Sequence, residues 1–503
     1  MKKIIISILI MALVILTPAL CAAQVELPGY EGGIQNEFQY KEMFFLTGRP
    51  IELSGTVQVK PGRTRGDQEE IRYTYKLENQ EEEVRINRTV TVTNTVSKYE
   101  NQTITKGELT KYSETLRIGG QRYDLEDYTM YRSVVTDHQP AIDYYSGNWT
   151  VRKVYSINRG EGRTIVETVG ELVGYKQAWG DTETQKMSIR ISSERNRPEN
   201  EEGNTGKEEW SGTIDLITSI NRTRDLTYVP NLPTQISFEG GYLLTEQEES
   251  VLNYTYNLPN FDEDGSVINY SRNRGENTIS LTKVPTQKRL PIPQVKDVRG
   301  HWAEADIMRL YSLGVFDWKD NYFGARLPMT RSQFARAIAL TLELKPKEEK
   351  NSVQSILGRN NANQNSGQSK FSDVPVTHPD YPYVQLIEEK GIIAGIGGGL
   401  FGPDKALTRA QAITIIIRAL GLQVLAPTPG YSTGYRDDNA IPSWARDEIY
   451  VAKELGLVVG SGGYLYPNEI MTRAETAVLL NKLITYLQKD LRNDYRERII
   501  YYR

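Results

Sequence analysis

The chain has 503 residues, of which 39% are hydrophobic and 25% charged, and its formal net charge is −4. That length allows about two to four domains, and the mildly acidic balance excludes a nucleic-acid partner, which needs a basic face. Tyr outnumbers Phe 31 to 10; Tyr favours strands and half-wet surfaces, so much exposed sheet is expected.

Residues 1–23 read as an export signal. Lys2 and Lys3 precede an apolar run from Ile4 to Leu16, and the small residues Ala19, Cys21, Ala22 and Ala23 follow. The run is short for a membrane span. Cleavage after Ala23, leaving Gln24 first, is expected. Two alternatives are lipidation of Cys21, which Leu20 disfavours, and retention as an N-terminal anchor. Cys21 is the one cysteine, so the processed chain is expected to form no disulfide and no thiolate metal site. No later stretch approaches membrane-spanning length.

Residues 24–290 alternate with period two. Val84, Ile86, Val90, Val92 and Val96 share one face, as do Trp149, Val151, Tyr155 and Ile157. Met187, Ile189 and Ile191, and later Leu252, Tyr254, Tyr256 and Leu258, repeat the pattern. This predicts strands with one buried face. Turn signals separate them, among them Gly119-Gly120, Gly147-Asn148, Gly160-Glu161-Gly162, Gly180-Asp181 and Asp264-Gly265. The prediction is an antiparallel all-β region, a sandwich or an open barrel. Residues 193–209 are polar and charged, and read as a mobile loop or a joint between two lobes.

Near 291 the period becomes helical, after Pro285, Pro291 and Pro293. Three segments share one plan: 291–345, 370–425 and 434–490. Residues 346–369, rich in Asn, Gln and Ser, read as a flexible linker inside this region. Residues 491–503 form a charged tail. Each repeat has an early Asp and an amphipathic helix that ends on Gly314, Gly391 or Gly456. A loop and a second helix follow. The second helix opens as Thr330-Arg331-Ser332-Gln333, Thr408-Arg409-Ala410-Gln411 and Thr472-Arg473-Ala474-Glu475. This is a capping box, which explains Thr and Gln/Glu. It does not explain Arg, because a cation in the first turn opposes the helix dipole. Open helix amides plus a guanidinium would make a carboxylate or phosphate site. The alternative is that each Arg pairs with a carboxylate of a neighbouring repeat.

This layout resembles the S-layer-homology repeat of bacterial cell-surface proteins. The resemblance implies an all-α domain of three helix-loop-helix repeats in pseudo-threefold arrangement. It implies binding of secondary cell-wall polysaccharide, often pyruvylated, in grooves between repeats. Carried over by position, the binding residues are Arg331, Arg409 and Arg473, the early acids Asp297, Asp373 and Asp437, the aromatics Trp302 and Trp444, and the loop glycines Gly398 and Gly462. Read from the residues alone, Trp302 and Trp444 are core anchors sooner than sugar platforms, while Asp297 and Asp373 can serve as turn caps and the glycines as left-handed turns. The first repeat has Phe316 to Tyr322 in place of a glycine loop, so the second and third read as the better binders. The second has His378-Pro379-Asp380-Tyr381 in place of the usual His-Trp.

No other chemistry stands out. The three His are His138, His301 and His378, with no metal-binding spacing. His138 lies near Asp137 and Asp143 without a nucleophile elbow. Asp262 to Gly265 lacks the rest of a calcium loop. No catalytic residue, metal or cofactor is assigned. The expectation is an exported protein anchored at the cell wall, not an enzyme, with a β region that is an S-layer component, spacer or ligand-binding module capable of self-assembly. The alternatives are a wall-bound glycosidase or esterase, and a barrel that carries an apolar ligand.

Overall fold

The computed structural model describes residues 31–196, 206–231, 240–262, 266–316, 321–346 and 369–499. The export signal, the centre of 193–209, the Asp264-Gly265 turn, residues 317–320, nearly all of the 346–369 linker and the last residues of the tail lie outside them.

Among the described residues, the first half is one antiparallel 14-stranded sheet. Its strands are β1 (Ile34–Gln35), β2 (Tyr40–Phe44), β3 (Ile51–Arg65), β4 (Gln68–Asn79) and β5 (Val84–Lys98). Then come β6 (Gln102–Ile118), β7 (Gln121–His138), β8 (Asp143–Ile157), β9 (Gly162–Gln177) and β10 (Gly180–Asn196). The last are β11 (Lys207–Val229), β12 (Gly241–Phe261), β13 (Val267–Thr282) and β14 (Thr286–Arg289). Each strand to β13 pairs with its sequence neighbour, and β14 pairs with β12. The sheet curls into a half-barrel, so the sandwich alternative does not hold. The reading of 193–209 as a loop is corrected at its ends. Ser193 to Asn196 and Lys207 to Glu209 continue the β10–β11 ladder out to the pair Asn196↔Lys207. Polar side chains mislead there, because backbone bonds hold a long hairpin without an apolar face.

Alternation explains which face is buried. On β10, Met187 and Ile191 are buried while Lys186, Ser188, Arg190 and Ser192 face water. The buried face is filled by large side chains, including Tyr75, Trp149, Tyr155, Leu172 and Leu216. Trp149 needs a glycine opposite it: a Cβ on Gly170 would lie 2.2 Å from the indole. Gly170→Ala is therefore expected to cost about 1–3 kcal/mol by overpacking, read as a lower denaturation midpoint.

The helical half contains α1 (Glu304–Ser312), α2 (Arg331–Thr341), α3 (Tyr381–Glu389), α4 (Arg409–Leu420), α5 (Arg446–Glu454), α6 (Arg473–Thr485) and α7 (Leu491–Glu497). It does not hang on a free joint. Ile142, Tyr144, Tyr175 and Trp179 of the sheet belong to the same core as the helices. The sheet also caps the second helix of the first two repeats, and it bonds the third just past α6, where the chain continues helically into α7. A helix end leaves carbonyls without intrahelical partners. Here Trp179 Nε1 donates to Thr341 O at 2.8 Å. The Ala141 amide donates to Ala419 O at 2.9 Å, and Gln177 Nε2 donates to Leu487 O, just past α6, at 2.9 Å. The tail joins this contact: Tyr495 of α7 stacks on Tyr144 and donates to Gly174 O. Among the described residues, no helix is long and apolar enough to cross a membrane.

Candidate functional site

With the C-terminal ends of α2, α4 and α6 on the sheet, their N-terminal ends face the opposite way. That is where the Thr-Arg motifs sit. All three capping boxes form: Thr330, Thr408 and Thr472 each accept from the amide three residues on.

The expectation of open amides beside each Arg is corrected. Arg331 N and Ser332 N donate to Lys405 O and Pro403 O of the second repeat. Arg409 N and Ala410 N donate to Glu469 O and Pro467 O of the third. Arg473 N and Ala474 N donate to Leu327 O and Ala325 O of the first. A ring closes the set: Met329 N to Met471 O, Met471 N to Leu407 O and Leu407 N to Met329 O, each 2.9 Å. Every orphan amide of the first turn is spent on a neighbouring repeat or on the cap, so these helix ends hold the repeats together.

The guanidinium groups follow the same cycle. Arg331 is 6% exposed, lies over the Phe401 ring, and donates to Phe401 O at 3.0 Å and Ala394 O at 2.8 Å. Arg473 donates to Phe323 O at 2.7 Å. Arg409 pairs with the Glu475 carboxylate at 2.7 Å, with side-chain exposures of 22% and 31%. Carboxylate pairing therefore describes Arg409; Arg331 and Arg473 bond backbone carbonyls.

The early acids are built alike. Asp297 accepts from Phe323 N and Gly324 N, both at 2.7 Å. Asp373 accepts from Phe401 N at 2.8 Å and Gly402 N at 2.7 Å. Asp437 accepts from Leu465 N at 2.9 Å and Tyr466 N at 2.7 Å. Each carboxylate pins the strip leading into its own repeat's Thr-Arg motif. Burial pushes the Asp373 carboxyl up, but the Phe401 and Gly402 amides outweigh it and hold it below the usual range. A depressed folded-state value stabilises above the unfolded value and is lost as pH falls. Stability is therefore expected to drop as pH falls below the ordinary carboxylate value of about 4 toward the lower folded-state value, and Asp373→Asn should flatten that drop in acid-denaturation curves.

Gly398 and Gly462 have φ of 63° and 59°, and a Cβ on either would meet nothing within 4 Å. Each is followed by a second positive-φ glycine, so conformation, not crowding, demands glycine there. The first repeat makes the corresponding loop bond without it: Lys296 N donates to Asn321 O, as Ser372 N does to Gly399 O and Arg436 N to Gly463 O.

Trp302 and Trp444 are not core anchors: they are 67% and 49% exposed. Trp302 lines a groove of about 710 Å³ between the first and third repeats, with Gly300, His301, Arg326, Ile470 and Glu475. Arg409 reaches its rim through Glu475. The groove pairs an open indole face with an exposed guanidinium, Arg326, and flanking carboxylates Glu469 and Glu475. Sequence reasoning missed Arg326. It lies between Gly324 and the Thr-Arg motif, where the other repeats have Asp404 and Asn468, so no shared motif marked it. In the third repeat, Tyr464 and Tyr466 stack at 5.6 Å, with Arg436 over Tyr464. Among the described residues, no group of three or more His, Cys, Asp or Glu could hold a metal.

Comparison with known proteins decides what the repeats are. The S-layer homology domain model matches at residues 296–335, 370–413 and 434–477. The C-terminal region carries three S-layer-homology repeats. An endoglucanase of a Bacillus species is 34% identical over 134 residues, 26% of this chain and 14% of its own length. A cell surface protein of Thermoanaerobacter kivui is 28% identical over 195 residues, covering 39% of this chain and 21% of its own. The S-layer protein sap of Bacillus anthracis is 31% identical over 117 residues, 22% of this chain and 13% of its own. The chain thus spans about a fifth or less of each of these relatives. The S-layer-homology repeats and these relatives indicate an exported, cell-wall-associated surface protein.

Proposed function

We propose that the S-layer-homology repeats hold this chain on an acidic, pyruvylated secondary cell-wall polysaccharide, with the β region as a rigid structural module of the surface layer. The observation that carries this reading is the Trp302–Arg326 groove, on the face turned away from the sheet. An exposed indole offers a stacking face to a sugar ring, and a guanidinium offers paired donors to a carboxylate. The cyclic bonding of the repeats supports a pseudo-threefold domain with related grooves, one of them beside Trp444. Gly398 and Gly462 shape loop rims, while Arg331, Arg473, Asp297, Asp373 and Asp437 hold the grooves in form. Several grooves on one glycan would add avidity. Docked helix ends make the sheet project from the wall at a fixed angle, which suits self-assembly in a layer.

The test is sedimentation of the full chain with purified wall glycan. Trp302→Ala with Arg326→Ala is expected to weaken binding at least about tenfold, each lost contact being worth about 1 kcal/mol or more, while the far-ultraviolet spectrum stays unchanged. Parent-like binding by this variant would remove the groove from the account.

A second reading, an enzyme in the β region, has one observation in its favour. Thr103 Oγ1 lies 2.7 Å from His138 Nε2, and His138 Nδ1 lies 2.8 Å from Asp143 Oδ1. This is the order of nucleophile, base and orienting acid. His138 and Asp143 have side chains 43% and 45% exposed, and they close adjoining hairpin ends, which favours a structural role. Turnover of a chromogenic ester that vanishes in Thr103→Val would favour the enzyme; none in the parent would favour the structural module.

A further inference from the structure

Residues 31–37 run across the inside of the half-barrel. The segment starts among the middle strands with Glu31 and ends at the far edge of the sheet. Gly32 lies on Met187 and Leu216, and its carbonyl accepts from Thr218 Oγ1. Gln35 O accepts from Ser250 Oγ of β12, Asn36 Nδ2 donates to Thr282 O of β13, and Glu37 accepts from Val284 N. The chain then turns into β2, which pairs with β3 at the opposite edge. The segment thus straps one edge of the curled sheet to the other.

Its anchor is an ionic one. Glu31 accepts from Lys153 Nζ at 2.9 and 3.0 Å and from Tyr128 OH at 2.7 Å, and it pairs with Arg88 at 3.1 Å. Arg88 also binds Glu42 at 3.2 Å and Glu114 at 2.6 Å. Tyr40 donates to Glu42 and Tyr155 to Glu114. The side chains of Arg88, Lys153 and Glu31 are 4%, 8% and 9% exposed. Two of the strap's first three residues are Gly32 and Gly33, which bring no side chain to the floor. Among the described residues, the strap depends on the Glu31 carboxylate at one end, on Ile34, on the Val284 N–Glu37 bond of 2.7 Å at the other end, and on longer bonds at Gly32, Gln35 and Asn36. Glu42 and Glu114 already occupy part of Arg88, whereas Lys153 and Tyr128 turn to Glu31.

We propose that Arg88, Lys153 and Tyr128 form an internal carboxylate receptor, and that Glu31 seated in it is a releasable latch that keeps the half-barrel strapped. A small carboxylate takes the same seat when the Glu31 side chain is removed. The latch opens below global unfolding, because its loss touches the strap and the sheet edges but not the repeats.

Hydrogen exchange on the full chain tests this. In Glu31→Ala, amides of β1, β2 and the facing parts of β12 and β13 are expected to exchange about 100-fold faster, with α2, α4 and α6 unchanged. Acetate should restore most of the protection, and acetamide, of the same size without charge, should not. Glu31→Gln keeps the shape, so it should fold and still loosen the strap by about tenfold, without a response to acetate. Unchanged exchange in Glu31→Gln, or equal rescue of Glu31→Ala by acetamide, overturns the proposal.

Discussion

Trp179→Ala is expected to destabilise the chain by about 4 kcal/mol or more and to split its unfolding into two transitions. The indole is 2% exposed and sits where the β9–β10 turn enters the helical core. Deleting a buried Trp costs about 3–5 kcal/mol in lost burial and cavity. Its Nε1 also satisfies Thr341 O at the end of α2, and an unsatisfied buried carbonyl costs about 1–3 kcal/mol. Arg224 packs over the same ring and bonds Ala178 O and Glu343, so the loss spreads to β11. Calorimetry checks this: the parent should melt as one unit and the variant as two. A parent that already melts in two steps would show that the shared core does not couple the halves.

Arg331→Ala should cost about 3 kcal/mol, against about 1 kcal/mol or less for Arg409→Ala. The two residues hold the same motif position, yet their partners differ. Arg331 is buried and satisfies two carbonyls of the second repeat; a bond to a charged donor is worth about 1.5–3 kcal/mol. Arg409 makes one part-exposed ion pair with Glu475, and such pairs contribute about 0–1 kcal/mol. Denaturant titration of both variants checks the difference. Equal losses would mean that the position, and not the partner, sets the energy.

The capping boxes were legible because all their parts lie within four residues. The partners of Arg331, Arg409 and Arg473 were not, because they come from other repeats. A dipole argument applied to a lone helix leaves its amides facing water, and tertiary contact spent them. The roles of Asp297 and Asp373 were half legible as turn caps, and that of Asp437 was not; the amide partners of all three lie 26 to 29 residues on. Strand alternation foretold the buried face of β5, and it also carried an unread signal. Arg88 stands between Ile86 and Val90 on the buried parity, and Lys153 stands between Val151 and Tyr155 in the same way. A charge on the core face needs a buried partner, but Glu31, Glu42 and Glu114 are too far along the chain for spacing to name them. The exposure of Trp302 was also hidden, since an aromatic ahead of a helix serves a core as readily as a groove.

The most direct measurement is sedimentation of the full chain with purified cell walls, before and after mild acid removes pyruvyl groups from the wall polysaccharide. Binding is expected before treatment, with a loss of about tenfold or more after it, since each charge-assisted contact is worth more than about 1.4 kcal/mol. Trp302→Ala should remove much of what remains. Equally tight binding to walls stripped of acidic groups would contradict the account, because the repeats would then be gripping something other than an acidic sugar.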